Sequence, residues 1–487
     1  MSFGNSPGVY PRIVDRTFIA GGSGLLAGGI VLTAKKGPTK IVTVTSPRDF
    51  TELFGMPTRD NPSMHTALRF LRRAGILSVR RVIKDAKAAT GKIEKDGTEI
   101  FTVTAENEGT WGNNISVKFS AVSSDEPEMF NIMVLDGTDL VETYRVSRNP
   151  DKKDGYGNNV FIENVVNQRS RYIRIEDDPS AVIDLVDLYA LEVTLEGGKD
   201  DTETADTAEF IKAWDEFKNT SAVPAQLLIN GGFAIPAIQV KMEEVATART
   251  DAVAILDIPL SAAENVTDMV EYRKETLKLD SNLGSLYGGW LKVYDEYLDQ
   301  EVMIPPSGDV AAVIVHTAEV AERWDAPAGL QRGIIPNVLG VSKELNDGDR
   351  DQLYVNEINP ITPMGGAAAV IWGQKNLQKA NSTLDRMNVI LSVIWMRNVM
   401  TEALQPYVFQ GNTEYVRSNV ENTLNGFLET VQVRGGLYGY HVDAESDNTP
   451  EVIDRNEMIV NVFIKPVQTA EFIRLNVVIT PTGVTFA

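Results

Sequence analysis

Two runs of strict alternation near the C-terminal end of this chain constrain its fold more than any other stretch. Val460, Val462 and Ile464 alternate with Asn461, Phe463 and Lys465. Further on, Ile473, Leu475, Val477 and Ile479 alternate with Arg474, Asn476, Val478 and Thr480. Successive side chains of a strand point to opposite faces, so a period of two puts each apolar set on one face of a pleated strand. The second run, over 472–480, stops at Pro481. Two arrangements satisfy it. It is a strand of the chain's own sheet, or it is an arm that completes the sheet of another copy. The alternation leaves both open.

Upstream, the pattern is α/β. Strands are expected over 28–33 and 41–45. Ser46 and Pro47 then open a helix that ends at Gly55, and Asn61-Pro62 opens another by the same device. A strand follows over 77–83. From about 86 to 193 short strands alternate with turn signals at Asp96-Gly97, Gly112-Asn113 and Asp136-Gly137, which describes a β-rich domain inserted into the α/β unit. The α/β pattern resumes at Gly197-Gly198. Asp206 with Glu209 forms a capping-box arrangement for a helix through Lys218. Strands over 227–229 and 252–257 alternate with helices over 236–249, 262–277 and 309–324, so the sheet is largely parallel. A final unit is expected from Val341. Its helix over 383–404 is apolar on nearly all sides (Leu384, Met387, Ile390, Leu391, Ile394, Trp395, Val399), the mark of a buried helix. A second helix is expected over 414–430. The first residues hold two prolines and two glycines around Val9, Tyr10, Ile13 and Val14, and read as an extended arm. The expected division is 1–17 as an arm, 18–88 with 197–340 as an α/β domain, 89–196 as the insertion, and 341–487 as an α+β domain.

The chain's 487 residues are 43% hydrophobic, enough for a large core, and its net charge is −21. A duplex nucleic-acid binder needs clustered Lys and Arg to displace counterions, and docking on anionic lipid needs the same, so the charge argues against both. There are no cysteines, which removes disulfides, thiol nucleophiles and thiolate metal sites; folding in the cytosol fits. Residues 1–11 are polar and rich in Gly and Pro, so no signal peptide is read there. No apolar run approaches the roughly 18 residues of a membrane span. The histidines are His65, His316 and His441; they share no ligand spacing, and no HExxH motif occurs. Gly91-Lys92 lacks the rest of a phosphate loop, with Ala86 and Ile93 at key positions. Asp347, Asp349 and Asp351 have the spacing of a calcium loop, but Gln352 and Ile358 stand where its Gly and Glu belong. No catalytic residue, cofactor or metal is expected, and the balance favours a structural protein over an enzyme.

Several stretches resemble the contractile tail sheath family of bacteriophages and related contractile injection systems. SPGVYPRIVD is similar to that family's Pro-Gly-Val-Tyr arm. GGIVLTAKKGPTKIVTVTSPRDFTELFG resembles its opening strands and first helix, and HTALRFLRRAGILSVRRVI the helix and strand that follow. EGTWGNNISV matches its Gly-x-Trp-Gly-Asn motif. FLETVQVRGGLYGYHVDAESDNTPEVID and VNVFIKPVQTAEFIRLNVVIT resemble its C-terminal helix, Gly-rich turn, Asn-Thr-Pro segment and final strand pair. The order of these matches carries the resemblance. Departures are Val442-Asp443-Ala444, where a Cys often precedes the Asp; Val408 to Asn412, in place of Glu-Pro-Asn; and Tyr415, where Trp is frequent.

The resemblance implies a subtilisin-like α/β middle domain without protease function. It implies terminal arms that add strands to neighbouring copies, carried here by Val9, Tyr10, Ile13 and Val14 and by Phe472, Ile473, Leu475, Val477 and Ile479. It further implies hexameric rings stacked helically around a tail tube, with baseplate and tail terminator proteins as partners. Such a subunit belongs in the virion tail after assembly in the host cytoplasm. Lys375, Lys379 and Arg386 are candidates for meeting an acidic tube. Two other readings stay open: an α/β hydrolase in which His316 or His441 meets a Ser and a carboxylate, and a structural virion protein that does not contract.

Overall fold

The structure, a computed structural model, describes residues 26–122, 128–201 and 206–475. Val9, Tyr10, Ile13, Val14, Val477 and Ile479 lie outside them. The chain divides into two compact units: residues 26–321 with 326–387, and residues 322–325 with those from 388 onward.

The larger unit is built on an eight-stranded sheet. Its order from edge to edge is Ala367–Ile371, Ile358–Met364, Gly284–Gly288, Val253–Asp257, Leu227–Ile229, Gly28–Leu32, Leu77–Arg81 and Val42–Val44. The inner six strands are parallel, and each edge strand is antiparallel to its neighbour. Strands covered on both faces read as unbroken apolar runs, and all five residues of Gly28–Leu32 are buried. Its two glycines are steric necessities. A Cβ on Gly28 would lie 2.8 Å from the Phe70 ring, and one on Gly29 would lie 2.8 Å from Phe217 and from Ala225. Helix Pro62–Arg73, which carries Phe70, thus covers one face, while Phe217, following helix Thr207–Glu216, covers the other. Phe210, Trp214, Met242, Val245, Leu256 and Leu286 join the core on this second face.

The expected parallel sheet is present, but its extent differs. Ile358–Met364 and Ala367–Ile371 belong to it, so the division expected at Val341 falls near residue 387 instead. Pro360 and Pro363 obscured the inner strand, because Pro cannot donate to a ladder and argues against a central position. Leu291–Asp295 joins a separate antiparallel sheet with Gln300–Ile304 and Gly340–Val341.

Helix caps divide the same way. Ser46 Oγ accepts from Asp49 N at 3.1 Å, and Gly55 closes that helix at φ 86°. Asn61 makes no cap bond. Its Oδ1 accepts from Ser63 Oγ at 2.6 Å, and its Nδ2 donates to Thr33 Oγ1 at 3.2 Å. Asp206 does not close the expected box either, and its carboxylate takes Lys84 Nζ at 3.2 Å instead. Asp347 and Asp349 lie in the first turn of helix Asp347–Val355, where Asn346 and Asp349 form a reciprocal capping box.

The insertion has its own core. A four-stranded sheet (Glu192–Thr194, Ile115–Ala121, Phe130–Asp136, Asp139–Val146) and a three-stranded sheet (Thr90–Lys95, Thr98–Ala105, Ile173–Asp177) enclose Phe101, Val117, Phe119, Phe130, Ile132 and Ile175. Asp96 and Gly97, at φ 52° and 78°, make the expected tight turn. Gly112-Asn113 makes no hairpin turn and sits in the 3-10 helix Thr110–Asn114. Helix Ile162–Arg169 interrupts the expected pattern of strands and turns.

The two crossings into the insertion are tied together. Asp201 Oδ1 accepts the successive amides of Lys84, Asp85 and Ala86 at 2.9, 3.0 and 2.8 Å. Asp200 takes the amide and hydroxyl of Thr110 at 2.8 and 2.9 Å. Asn113 exchanges two bonds with Gly198 at 3.0 and 2.8 Å. The buried Arg81 guanidinium donates to the Ala34 and Gly37 carbonyls at 2.9 and 2.8 Å. The Gly-Thr-Trp-Gly-Asn motif is therefore a structural joint. A Cβ on Gly109, at φ 136°, would strike the Lys35 carbonyl at 2.1 Å.

Candidate assembly surface

The smaller unit carries the features an assembling protein needs. Helix Met387–Leu404 starts four residues later than expected. Helix Glu414–Val433 runs three residues longer, and Thr413 Oγ1 caps it from Val416 N at 3.3 Å. Met396, Val420, Leu424, Leu428 and Val431 pack with Trp324, Leu437 and Val442. The Trp395 ring lies 6.1 Å from Trp324 and 5.5 Å from Phe427. Buried Asn388 donates to the Trp324 carbonyl at 2.8 Å and to Thr469 Oγ1 at 3.1 Å.

On these helices lies a ribbon of two antiparallel strands, Leu437–Asp443 and Asn461–Pro466. The alternation read from the sequence is its pleat. Val462 and Ile464 turn to the core, while Phe463 is exposed and stacks on His441 at 6.0 Å. The connection between the strands is fixed by polar contacts. Asp443 Oδ1 accepts from the Glu445 and Ser446 amides at 2.9 Å each, and the Ser446 hydroxyl, helped by these two amides, holds its carboxyl down at about 2. Buried Asn448 donates to the Ala444 and Ile459 carbonyls at 2.7 Å each and accepts from Ile459 N at 3.0 Å. Arg417 grips Glu445 with two bonds of 2.6 and 2.8 Å. Among the described residues no third strand joins this ribbon, so each side presents a row of backbone donors and acceptors that can pair with another strand.

Beyond the ribbon, Val467 N donates to the Gly436 carbonyl at 3.2 Å, and Thr469 meets Asn388. The chain then leaves the core. Phe472, Ile473 and Leu475 are 78%, 86% and 84% exposed, and residues 472–475 pair with no strand among the described residues. The structure thus brings the ribbon and the apolar tail into one unit. Asn448 and Trp324 were not singled out from the sequence, although Asn448 stands in the quoted Asn-Thr-Pro segment.

The cationic candidates lie elsewhere. All three precede helix Met387–Leu404 and belong to the larger unit. Lys375 Nζ donates to the Tyr354 carbonyl at 2.9 Å and sits 4.6 Å from that ring's centroid. Arg386 lies 5.9 Å from the same ring and pairs with Asp385 at 2.9 Å. Lys379 is exposed, and its amide donates to Asp280 at 3.0 Å.

One further polar cluster stands where α/β sheets commonly hold ligands, at the carboxyl ends of strands beside the point where strand order reverses. Strand Gly28–Leu32 lies between Leu77–Arg81 and Leu227–Ile229, so the chain changes direction there. The fully buried Asp257 accepts from Ser307 N at 2.9 Å, Ser307 Oγ at 2.7 Å and Gly232 N at 2.9 Å. Ser307 Oγ accepts from Gly231 N at 3.0 Å. Gln239 donates to Asn230 Oδ1 at 2.8 Å and to the Asp257 carbonyl at 2.7 Å. Burial pushes the Asp257 carboxyl up to about 6, against the pull of the Ser307 and Gly232 bonds. No imidazole takes part. His65 Nε2 is 3.5 Å from Asp295, with its pKa lowered chiefly by burial; His316 is on helix Ser307–Val320; His441 faces solvent on the ribbon. The serine and carboxylate are bonded to each other and to backbone, an arrangement that closes a loop junction and presents no nucleophile. Among the described residues, no group of His, Asp and Glu is placed to hold a metal ion, and no helix is long and apolar enough to cross a membrane.

Comparison with known proteins gives a consistent result. Residues 203–377 match the phage tail sheath protein central domain, and residues 379–480 match the phage tail sheath C-terminal domain. Together these span more than half of the chain. The tail sheath protein of Vibrio phage KVP40 is 27% identical over 405 residues, covering 78% of this chain and 59% of that protein. The tail sheath protein of Enterobacteria phage T4 is 28% identical over 380 residues, covering 73% and 57%. The chain therefore spans under two thirds of the length of these curated relatives. Its fold is shared with a sheath tail protein of Listeria innocua at TM-score 0.65 and 13% identity, over 91% of this chain and 93% of that one. It is also shared with the contracted helical sheath of the anti-feeding prophage at TM-score 0.55 and 15% identity, over 98% and 99%. Two successive domain matches and curated relatives of one kind lead to a single conclusion: the chain belongs to the phage tail sheath family.

Proposed function

We propose that this chain is the structural subunit of a contractile tail sheath. It polymerises as stacked hexameric rings around a tail tube in an extended, metastable state, and contracts to drive the tube through the host envelope. The observation that carries this reading is the pairing, in one unit, of an open-edged ribbon with an exposed apolar tail. Phe472, Ile473 and Leu475, continued by Val477 and Ile479, supply a strand to a neighbour's ribbon, and the arm with Val9, Tyr10, Ile13 and Val14 supplies another. A donated strand with about five hydrogen bonds at roughly 0.5–1.5 kcal/mol net each contributes several kcal/mol before its packing. Such links survive while weaker side-chain contacts between copies are exchanged, so one moving ring draws the next. The energy is stored in folding and assembly, and no nucleotide or catalytic residue is required.

In this reading the larger unit holds a subtilisin-like α/β middle domain and the outer insertion, and the smaller unit is the inner domain that bears the arms. The Asp257–Ser307 junction supports a structural role over a hydrolase, since its groups are committed to one another. Baseplate and terminator proteins cap the two ends of the stack, in the virion tail, after assembly in the host cytoplasm. Lys379, exposed on its loop, is the strongest of the three cationic candidates for the tube. Deletion of 470–487 tests the central claim. By negative-stain microscopy, the full chain is expected to form hollow striated tubes as concentration rises, while the truncated chain stays a folded monomer. Tubes from the truncated chain refute strand donation by that arm.

A further inference from the structure

The loop between the two long helices of the smaller unit presents one aromatic ring to solvent at the cost of an unfavourable backbone. Phe409 has φ 68° and is 103% exposed. The left-handed region suits Gly or Asn and is a genuine outlier for a bulky side chain. The loop is not slack. Val408 N donates to Gln405 O at 3.2 Å and Gln410 N to Tyr407 O at 3.1 Å, on either side of Phe409. Gln410 Nε2 donates to Pro406 O at 2.9 Å. The Tyr407 hydroxyl meets Thr423 Oγ1 at 2.7 Å. Asn412 Nδ2 donates to Glu457 O at 2.7 Å, and its Oδ1 accepts from Arg417 at 2.9 Å. Next to the ring, Val408 is 61% exposed, and Tyr415, on the first turn of the following helix, is 77% exposed. Strained residues held by their surroundings cluster at functional positions. Among the described residues, none packs on the ring.

We propose that Phe409, flanked by Val408 and Tyr415, is an anchor by which one copy of this chain docks on a second copy. Charge selects that partner. Each copy carries −21, so two copies repel, and their contact must gather uncharged surface. The run from Gln405 to Thr413, QPYVFQGNT, holds no charged residue. A partner recognised by charge would be met by charged side chains of the opposite sign, and the loop from Gln405 to Thr413 offers none. A rigid aromatic presented on a held loop is the kind of residue that dominates protein–protein contacts. This inference rests on the sheath reading and adds to strand donation a side-chain contact that can be broken and remade.

The test is Phe409→Gly. Glycine adopts φ 68° freely, so the variant monomer is expected to melt no lower than the parent. Its threshold concentration for assembly, read by sedimentation and negative stain, is expected to rise by about tenfold or more. Phe409→Leu, which keeps apolar bulk, is expected to fall between the two. Equal thresholds for parent and Phe409→Gly overturn the proposal. So does a variant that assembles normally alone but no longer attaches to purified tail tube, since the anchor then serves the tube. A parent chain that assembles under no condition, with or without tube, removes the sheath reading itself and this inference with it.

Discussion

Asp257 makes the sharpest prediction about the larger unit, because its carboxyl is fully buried and its three donors are fixed. Its pKa rises from 3.8 to about 6 on folding. A carboxyl whose folded value is raised binds its proton more readily when folded. Its stabilising contribution is therefore complete below about pH 3.8 and is lost as pH rises through about 6. With one pKa unit worth about 1.36 kcal/mol, the parent gains about 2 kcal/mol between pH 7 and pH 4.5 from this group alone. Asp257→Asn cannot titrate. At pH 7 it avoids the buried charge, but its amide faces the Ser307 N–H donor, a mismatch of about 1–3 kcal/mol. The two effects nearly cancel, so the variant is expected within about 1 kcal/mol of the parent at pH 7 and about 2 kcal/mol less stable at pH 4.5. Native-state hydrogen exchange of the Leu228 and Ile255 amides, in the strands the cluster closes, reads the difference without assuming that both units unfold together. The diagnostic quantity is parent minus variant, since every other carboxylate titrates in both. A difference that stays flat from pH 7 to pH 4.5 refutes the assignment of a raised pKa to Asp257.

Four other outcomes are expected. Asp201→Ala removes the shared acceptor of three amides, so exchange at Lys84, Asp85 and Ala86 should accelerate by about tenfold or more while strands 253–257 and 284–288 keep their protection. Asn448→Ala leaves the Ala444 and Ile459 carbonyls without their donor and should cost about 1–3 kcal/mol in the smaller unit, measured by urea denaturation of the full chain. Gly29→Ala sets a methyl 2.8 Å from Phe217 and Ala225 and should cost about 1–3 kcal/mol by overpacking, seen as a lower thermal midpoint. Charge reversal at Lys379 should weaken binding to purified tail tube in a pull-down and leave self-assembly unchanged; unchanged tube binding removes it as a contact.

What could be read from the sequence followed the range of the physics involved. Apolar runs such as GGIVL and VAILD and the period-two pattern at 460–465 depend on burial alone, and they fell where expected. Ser46 caps its helix through a bond to Asp49 N, three residues on, which is the contact the local sequence predicts. Asn61 and Asp206 have the right side chains for caps, but Thr33 and Lys84, 28 and 122 residues away in the chain, offered better partners. Tertiary contacts of that kind leave no local mark. The strand Ile358–Met364 was hidden by its own prolines, and with it the true division of the units. The Asp257–Ser307 junction has no signature either: an Asp at the end of an apolar run reads as a strand end, and its partner stands fifty residues on. The tail at 472–475 was legible as apolar and alternating, and the structure adds that its side chains face water.

The open-edged ribbon has a consequence for the cell that makes this protein. Exposed strand edges and apolar tails are the usual seeds of aggregation, and a subunit that waits for a template, as proposed above, must remain dispersed. Its acidity works as a brake. Long-range repulsion between highly negative copies slows encounter but fades within about 10 Å at 0.1 M salt, so a strand already held beside a ribbon feels little of it. Rising ionic strength weakens the brake before it weakens the lock. Stored subunits should then tolerate low salt and begin to polymerise without a template as salt is raised, and the ratio of subunit to template would set how much protein is lost to such premature growth.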